Sequence, residues 1–418
     1  MERYKEYKDS GIFWEPCIPN YWRVTRLKNI LSKLDRTRTP NDELLVCSNS
    51  GEVKKRGDNK LGLVADSDEI YQGVKSGDLL IHGMDTWHGA IAVSKLDGMC
   101  TPVVHVCDSS QEKEFVALYL RNMASQKIFK LISNGVRQNT SDFRSWSKLG
   151  CIPIAIPPLP EQKKIVSYIE SKTSKIDEYI AEKEKEVQLL SELKEAEIAK
   201  VVTQGLNPNV KMKDSGISWI GMIPEHWKQY RFATICKEKS ICNCVNEELL
   251  SVYLDRGVIR FTDDSNKRTN PTSKDLSKYQ LVEVGDFVLN NQQAWRGSVG
   301  VSNYRGIVSP AYFIFSLSPI IDKDFANYLF RSKSCVAYYF ICSKGIGSIQ
   351  RNLDWSTLKQ KKIALPSIDE QRAIVAYINE KTAKMESLIT DLQAEIEHLK
   401  EYKQRLIADC VTGQVKVI

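Results

Sequence analysis

No stretch of this 418-residue chain stays apolar long enough to cross a bilayer. No basic-then-apolar leader is read at Met1-Glu2-Arg3-Tyr4-Lys5. A membrane partner is therefore not expected. Histidine is scarce, at five residues, and the eleven cysteines form no paired CxxC units. Cys236, Cys242 and Cys244, or His82 with His88, lack the spacing of a zinc site, so no metal is expected. The cysteines are odd in number and sit in apolar runs such as Val106-Cys107 and Phe340-Ile341-Cys342. That usage fits reduced thiols and a cytoplasmic location better than a disulfide framework. Also missing are a P-loop, an HExxH pair, a Gly-x-Gly-x-x-Gly after a strand, and the Asn/Asp-Pro-Pro-aromatic motif of amino-methyltransferases. Asn207-Pro208-Asn209 reads as a helix-ending turn instead. No catalytic residue is assigned, and the chain is expected not to be an enzyme.

What the chain has is a duplication at a constant offset of 209 residues. Glu161 pairs with Glu370, Tyr168 with Tyr377, Thr173 with Thr382, Ile180 with Ile389 and Thr203 with Thr412. Within each copy a 3-4 alternation marks one face: Val166, Ile169, Thr173, Ile176 and Ile180 in the first, Val375, Ile378, Thr382, Met385 and Ile389 in the second. Such a seam, sustained over several heptads, predicts two long helices that pack against each other. The repeat extends beyond them. Lys8-Asp9-Ser10-Gly11-Ile12-Phe13-Trp14 returns as Lys213-Asp214-Ser215-Gly216-Ile217-Ser218-Trp219, and Ile18-Pro19-Asn20-Tyr21-Trp22 as Ile223-Pro224-Glu225-His226-Trp227. Gly77-Asp78, Trp87-x-Gly89, Thr101-Pro102 and Trp146-Ser147 also recur, as Gly285-Asp286, Trp295-x-Gly297, Ser309-Pro310 and Trp355-Ser356. The chain is two copies of one unit: lead-in segment, globular domain, long helix.

Short apolar runs bounded by Gly, Asn, Asp and Pro predict strands at 78–81, 90–93, 103–106 and 152–156, and again at 287–289, 298–301, 311–315 and 362–365. Segments 112–122 and 323–331 read as helices. The expected class is α+β, with a mixed sheet and a few helices in each globular domain. The division follows as 1–157 for the first lead-in and domain, 158–205 for the first long helix, 206–365 for the second lead-in and domain, and 366–418 for the second long helix and tail. The first long helix leads directly into residues 213–227, whereas the lead-in equivalent for the second helix lies at residues 8–22. Equivalence of the two units therefore predicts that residues 8–22 meet the end of the second helix. The expected molecule is circularly closed and pseudo-twofold, with antiparallel helices separating two homologous domains. The recurring Trp14, Trp22, Trp219 and Trp227 are expected to anchor helix ends.

Charge locates the partner. The chain carries +7 overall, residues 160–202 carry −2 and residues 366–411 carry −3, so the remainder carries +12. A basic excess on globular modules points to a polyanion. In the first domain the candidate contacts are Arg36, Arg38, Lys54, Lys55, Arg56, Arg137, Gln138, Asn139 and Arg144. In the second they are Lys267, Arg268, Asn291, Gln292, Gln293, Arg296, Gln350, Arg351 and Asn352. Arg and Lys suit phosphates and guanine edges, and Asn and Gln can address adenine bidentately. Stretches 36–72 and 244–279 share almost nothing while the frame around them repeats. A reader of two different half-sites needs that pattern.

These residues bring a family into view. The lead-in motif Asp-Ser-Gly-Ile-x-Trp with Ile-Pro-x-x-Trp, and the helix opening Pro158-x-x-Glu161-Gln162, resemble the DNA specificity (S) subunits of type I restriction–modification systems. Ser367 with Glu370-Gln371 varies that opening, with serine in place of the usual proline. The resemblance covers essentially the full length. It implies two target recognition domains, each binding one half of a bipartite double-stranded DNA site, and a pair of helices that fixes the gap. It also implies two modification subunits, which carry S-adenosylmethionine and the adenine methyltransferase chemistry, and restriction subunits using ATP and Mg, so no cofactor is expected on this chain. The competing class is a coiled-coil spacer or adaptor with two protein-binding heads, which has no need of the +12 outside the helices.

Overall fold

The computed structural model describes residues 2–39, 41–57, 70–133, 142–217, 220–254, 256–263, 275–346 and 350–417. Two long helices dominate the sequence order, Leu159–Gln204 (46 residues) and Ile368–Val411 (44 residues). The chain separates into two compact units that cut both helices near their middles. The first takes Met1–Glu184 with Gln393–Ile418, and the second takes Lys185–Leu392.

In the first unit, the start of one long helix and the end of the other run antiparallel. Lys403 Nζ meets Asp177 at 2.6 Å and Lys183 meets Glu395 at 3.3 Å. Between them Val166, Ile169, Leu406 and Cys410 join one apolar core with the globular part. The second unit repeats this with Tyr377 donating to Glu197 at 2.6 Å and Val201, Val202, Ile374 and Ile378 in its core. The helices are charged on their outer faces, so burial of the seam stabilises the pairing, at about 1.5–3 kcal/mol per fully buried aliphatic side chain. The exposed ion pairs contribute at most about 1 kcal/mol each.

Each unit builds the same antiparallel frame. A lead-in hairpin pairs Tyr7–Asp9 with Cys17–Pro19, and Met212–Asp214 with Met222–Pro224. A second ladder joins Arg23–Arg26 to Pro153–Ile156, and Lys228–Arg231 to Lys362–Leu365. The central sheet has four strands. In the first unit its spatial order is Leu31–Lys33, Val104–Ser109, Leu79–His82, Ile91–Val93. In the second it is Cys236–Lys239, Tyr312–Leu317, Phe287–Asn290, Val299–Val301. Helices Lys113–Ser125 and Lys323–Arg331 bury Phe115, Leu120, Phe325 and Phe330 in the two cores. The sheet expected to be mixed is antiparallel in every ladder among the described residues. Only the isolated bridges Leu44–Met99 and Leu249–Ile307 are parallel. Leu79–His82 and Ile91–Val93, like Phe287–Asn290 and Val299–Val301, are joined by connections too short for a parallel crossover, which favours antiparallel pairing there.

The lead-in segment closes onto the end of a long helix. Tyr7 donates its hydroxyl to the carbonyl of Gly413 at 3.1 Å, Gln414 Nε2 donates to the carbonyl of Cys17 at 3.1 Å, and Lys416 N donates to Glu2 O at 2.9 Å. Residues 8–22 therefore do meet the end of the second helix. Gly413 stops that helix with φ +68° against Pro19 and Trp22, and Gly205 stops the other with φ +76° against Pro224 and Trp227. A side chain at either glycine would be strained in this left-handed conformation. Trp22 and Trp227 are buried at these ends, as expected of anchors. Trp14 is half-buried against the first core, and Trp219 lies outside the described residues.

Candidate nucleic-acid interface

The Glu-Gln pair that opens each long helix has a mechanical role. Gln162 is fully buried; its amide nitrogen donates to Pro157 O at 2.8 Å and Gln111 Oε1 at 2.9 Å, and its oxygen accepts Glu112 N–H at 3.0 Å. Gln371 does the same with Pro366 O, Ile320 O and Asp322 N–H, at 3.0, 3.0 and 2.7 Å. Glu161 accepts the hydroxyls of Tyr4 and Tyr21 at 2.6 and 3.0 Å, and Glu370 accepts Trp227 Nε1 and His226 Nε2 at 3.1 and 2.9 Å. Where serine replaces proline, Ser367 Oγ accepts Glu370 N–H at 3.3 Å and caps the helix. These residues fix each globular part to its helix and leave the opposite loops to vary.

The variable stretches hide a shared backbone. Both carry a hairpin, Leu45–Cys47 with Val53–Lys55 in the first unit and Leu250–Tyr253 with Gly257–Arg260 in the second. An arginine from the neighbouring helix holds each tip: Arg121 Nη2 donates to Ser50 O at 2.8 Å, and Arg331 Nη2 to Leu254 O at 3.4 Å. Gln72 and Gln280 occupy one position too, donating to Val104 O at 2.5 Å and to Tyr312 O at 2.7 Å. Sequence comparison of 36–72 with 244–279 missed this, because the pairing is made by backbone groups and by residues outside the two stretches. The signal was the recurrence of arginine at the same helical position.

The candidate contacts divide into three groups. Arg137, Gln138, Asn139, Lys267 and Arg268 lie outside the described residues. Gln350 has its backbone in the strand Gln350–Leu353. Arg36 is committed to the fold: its guanidinium forms an ion pair with the buried Asp78, which also caps the turn by accepting Lys75 N–H at 2.7 Å. Asp78 and its neighbours hold the Arg36 pKa above its ordinary value. The equivalent in the second unit is Lys239 with Asp286 at 2.8 Å, a pair that sequence reading did not single out. Asn291 is also partly used, since its side-chain oxygen accepts Leu353 N–H at 2.8 Å.

The remainder face outward to different degrees. On the first hairpin Lys54 pairs with Glu52 at 2.5 Å and Lys55 pairs with Glu43, all solvent-exposed. Arg56 and Arg38 are half-buried, and Arg144 is exposed with its backbone against Gly83. In the second unit the bond from Leu353 to Asn291 brings two candidate segments together. Trp295 donates Nε1 to Gln292 O at 3.0 Å, Arg296 lies over Trp295 at 5.9 Å, and Trp295 meets Phe340 at 6.3 Å between centroids. Arg351 lies over Phe340 at 4.3 Å and donates Nη2 to Ser343 O at 3.0 Å. Gln292 and Arg296 are exposed; Gln293, Arg351 and Asn352 are half-buried, with Asn352 opposite the exposed Lys344 in the hairpin Ser343–Ile346/Gln350–Leu353. The result is a ridge of cations and amides on an aromatic base, which can meet phosphates and base edges at once. Among the described residues no group of three or more His, Cys, Asp or Glu side chains forms a metal-ligand cluster, and no helix is long and apolar enough to cross a membrane.

Comparison with known proteins agrees with this geometry. Residues 224–398 match the family described as type I restriction modification DNA specificity domain. The MjaX specificity subunit, assigned to a type I restriction enzyme of Methanocaldococcus jannaschii, is 24% identical over 96% of this chain and 95% of its own. The type I restriction enzyme MjaVIII specificity subunit of the same organism is 27% identical over 64% of this chain and 63% of its own. A chain solved in a study of complex assembly and conformational transition of the type I R–M system superposes with a TM-score of 0.68 at 16% identity, covering 95% of this chain and 99% of that one. In its duplicated frame, its seam helices and the family match of its second half, the chain is similar to the specificity subunits of type I restriction–modification systems.

Proposed function

We propose that each globular part reads one half of a bipartite duplex DNA site and that the paired long helices set the gap between the halves. The observation that carries this reading is a repeated frame with unrepeated loops. Gln162 and Gln371, Arg121 and Arg331, and Gln72 and Gln280 perform the same bonds in both units. The side chains that the frame presents differ, Lys54, Lys55 and Arg144 in one unit against Gln292, Arg296 and Arg351 in the other. The +12 outside the helices supplies the sequence-independent attraction to phosphate.

In this reading the chain itself performs no chemistry. Two modification subunits supply S-adenosylmethionine and adenine methylation, restriction subunits supply ATP- and Mg-dependent steps, and the complex works in the cytoplasm. The frame and the loops determine where the chemistry occurs. The test is methylation-sensitive sequencing of DNA from a host expressing this chain with its modification subunit. A single bipartite motif with a fixed gap is the expected result. Replacing residues 30–157 by the domain of another specificity subunit should then change one half of the motif only. A change in both halves, or no methylated motif, overturns the reading.

A further inference from the structure

Both units expose an apolar side chain on the helix that follows the one bearing Arg121 or Arg331. In the second, Lys333–Ile341 ends in Tyr338-Tyr339-Phe340-Ile341, of which Tyr338 and Tyr339 are buried while Phe340 and Ile341 are 48% and 51% exposed. In the first, the short helix Ile128–Ile132 exposes Leu131 by 66%. Leu131 and Phe340 stand 209 residues apart, the offset of the long helices and of Trp146 and Trp355. In the second unit Phe340, Ile341 and the half-buried Trp295 form a contiguous apolar tip, which marks a place for a partner.

The surroundings identify its chemistry. Residues 333–362 contain six Lys or Arg and one acidic residue, and residues 124–153 contain five and one. Arg351 covers one face of Phe340 at 4.3 Å and is held there by Ser343 O, Trp295 lies against the ring at 6.3 Å between centroids, and about half of the residue stays exposed. Arg296 stacks on the adjacent Trp295. The basic surroundings suit a polyanion, and an apolar tip flanked by arginine and lysine is an arrangement that enters duplex DNA between base pairs.

We propose that Phe340 and Leu131 are wedges that insert at a base step, one in each half-site, with Arg351 and Arg296 seating the Phe340 tip on the backbone. The inference rests on the DNA-reading function proposed above. Insertion unstacks one step and bends the duplex, by about 20–90° in proteins that use such wedges. It adds a preference for deformable steps to the direct contacts of the loops. Phe340 and Leu131 thereby become determinants of affinity and of sequence preference without hydrogen-bonding to any base.

The experiment uses the full chain in complex with its modification subunit, on a duplex carrying the motif mapped by methylation sequencing. 2-Aminopurine is placed in turn along each half-site, excluding the methylated adenines. Wild-type complex should raise the fluorescence several-fold at one step per half-site. Phe340→Ala should abolish the rise in one half-site only and weaken binding at least tenfold, Leu131→Ala should do so in the other, and Phe340→Leu should retain most of both effects. Unchanged fluorescence and affinity in Phe340→Ala, with wild type still methylating its motif, overturns the wedge and leaves the proposed function standing. Loss of the modification subunit from the Phe340→Ala complex also overturns it, by making the tip a protein contact. A wild-type chain that directs no methylation overturns both.

Discussion

Gln162 accepts the backbone N–H of Glu112 at 3.0 Å while its amide donates to Pro157 O at 2.8 Å, so one buried side chain ties the start of a long helix to the loop before a short one. Gln371 repeats the arrangement with Asp322 and Pro366. Replacing either glutamine by leucine strands a backbone donor and a carbonyl, each costing about 1–3 kcal/mol when buried without a partner. Gln162→Leu should therefore destabilise the first unit by roughly 2–4 kcal/mol and leave the second intact. Hydrogen exchange, read separately on the two units, checks this. Equal loosening in both would show that the clamp does not act locally.

The duplication explains how much of this was legible in the sequence. The 209-residue offset and the 3-4 seam reveal the helices, and the strands at 287–289 and 362–365 follow from local apolar runs with turn residues on either side. The two hairpins that Arg121 and Arg331 hold were not legible, because their pairing depends on contacts distant in sequence. The site was legible as charge but not as geometry. Arg36 and Arg144 look alike in sequence, yet one serves a buried carboxylate and the other faces solvent. Likewise nothing local in Tyr338-Tyr339-Phe340-Ile341 says which pair is buried; only the packing of that helix on its core decides it.

That contrast between arginines gives a second prediction. Arg36→Ala leaves Asp78 buried beside no cation, and because Arg36 is itself partly exposed the cost should be about 1–3 kcal/mol, below that of a fully buried pair. The slope of log affinity against log salt on duplex DNA should stay as in the wild type. Arg144→Ala should leave stability unchanged and reduce that slope by about 0.9, the value for one lost phosphate contact. Thermal unfolding with salt-titrated binding distinguishes the two; an exchange of these behaviours would refute the assignment.

A third prediction concerns Glu15. It is buried in the first unit, accepts the hydroxyl of Tyr119, and is replaced by Ile220 at the repeat position. Burial pushes its pKa up from 4.5 to about 8, and the bond from Tyr119 opposes only part of that. The folded chain thus binds a proton that the unfolded chain releases between pH 4.5 and 8. Stability from this group is fully present below pH 4.5 and is lost as pH rises to about 8, with a slope approaching about 1.4 kcal/mol per unit. Glu15→Gln keeps an acceptor for Tyr119 but cannot ionise, so its stability should be flatter than wild type across this range. Parallel wild-type and variant profiles would place the titration elsewhere.

The spacing role can be tested with the seam itself. A heptad inserted after Glu184 alone displaces the seam of one helix from its partner, exposing residues such as Ile180 and Leu392 that are buried now, and should destabilise the chain. A second heptad after Leu392 restores the match, because seven residues return the apolar face to the same side. Seven residues add about 10.5 Å at about 1.5 Å each. With base pairs stacked at about 3.4 Å, the doubly inserted chain should methylate a motif whose gap is roughly three base pairs longer while both half-sites stay the same. Methylation-sensitive sequencing reads gap and half-sites in one experiment. A stable double insertion that still methylates the original spacing would mean that the helices hold the molecule together without measuring anything.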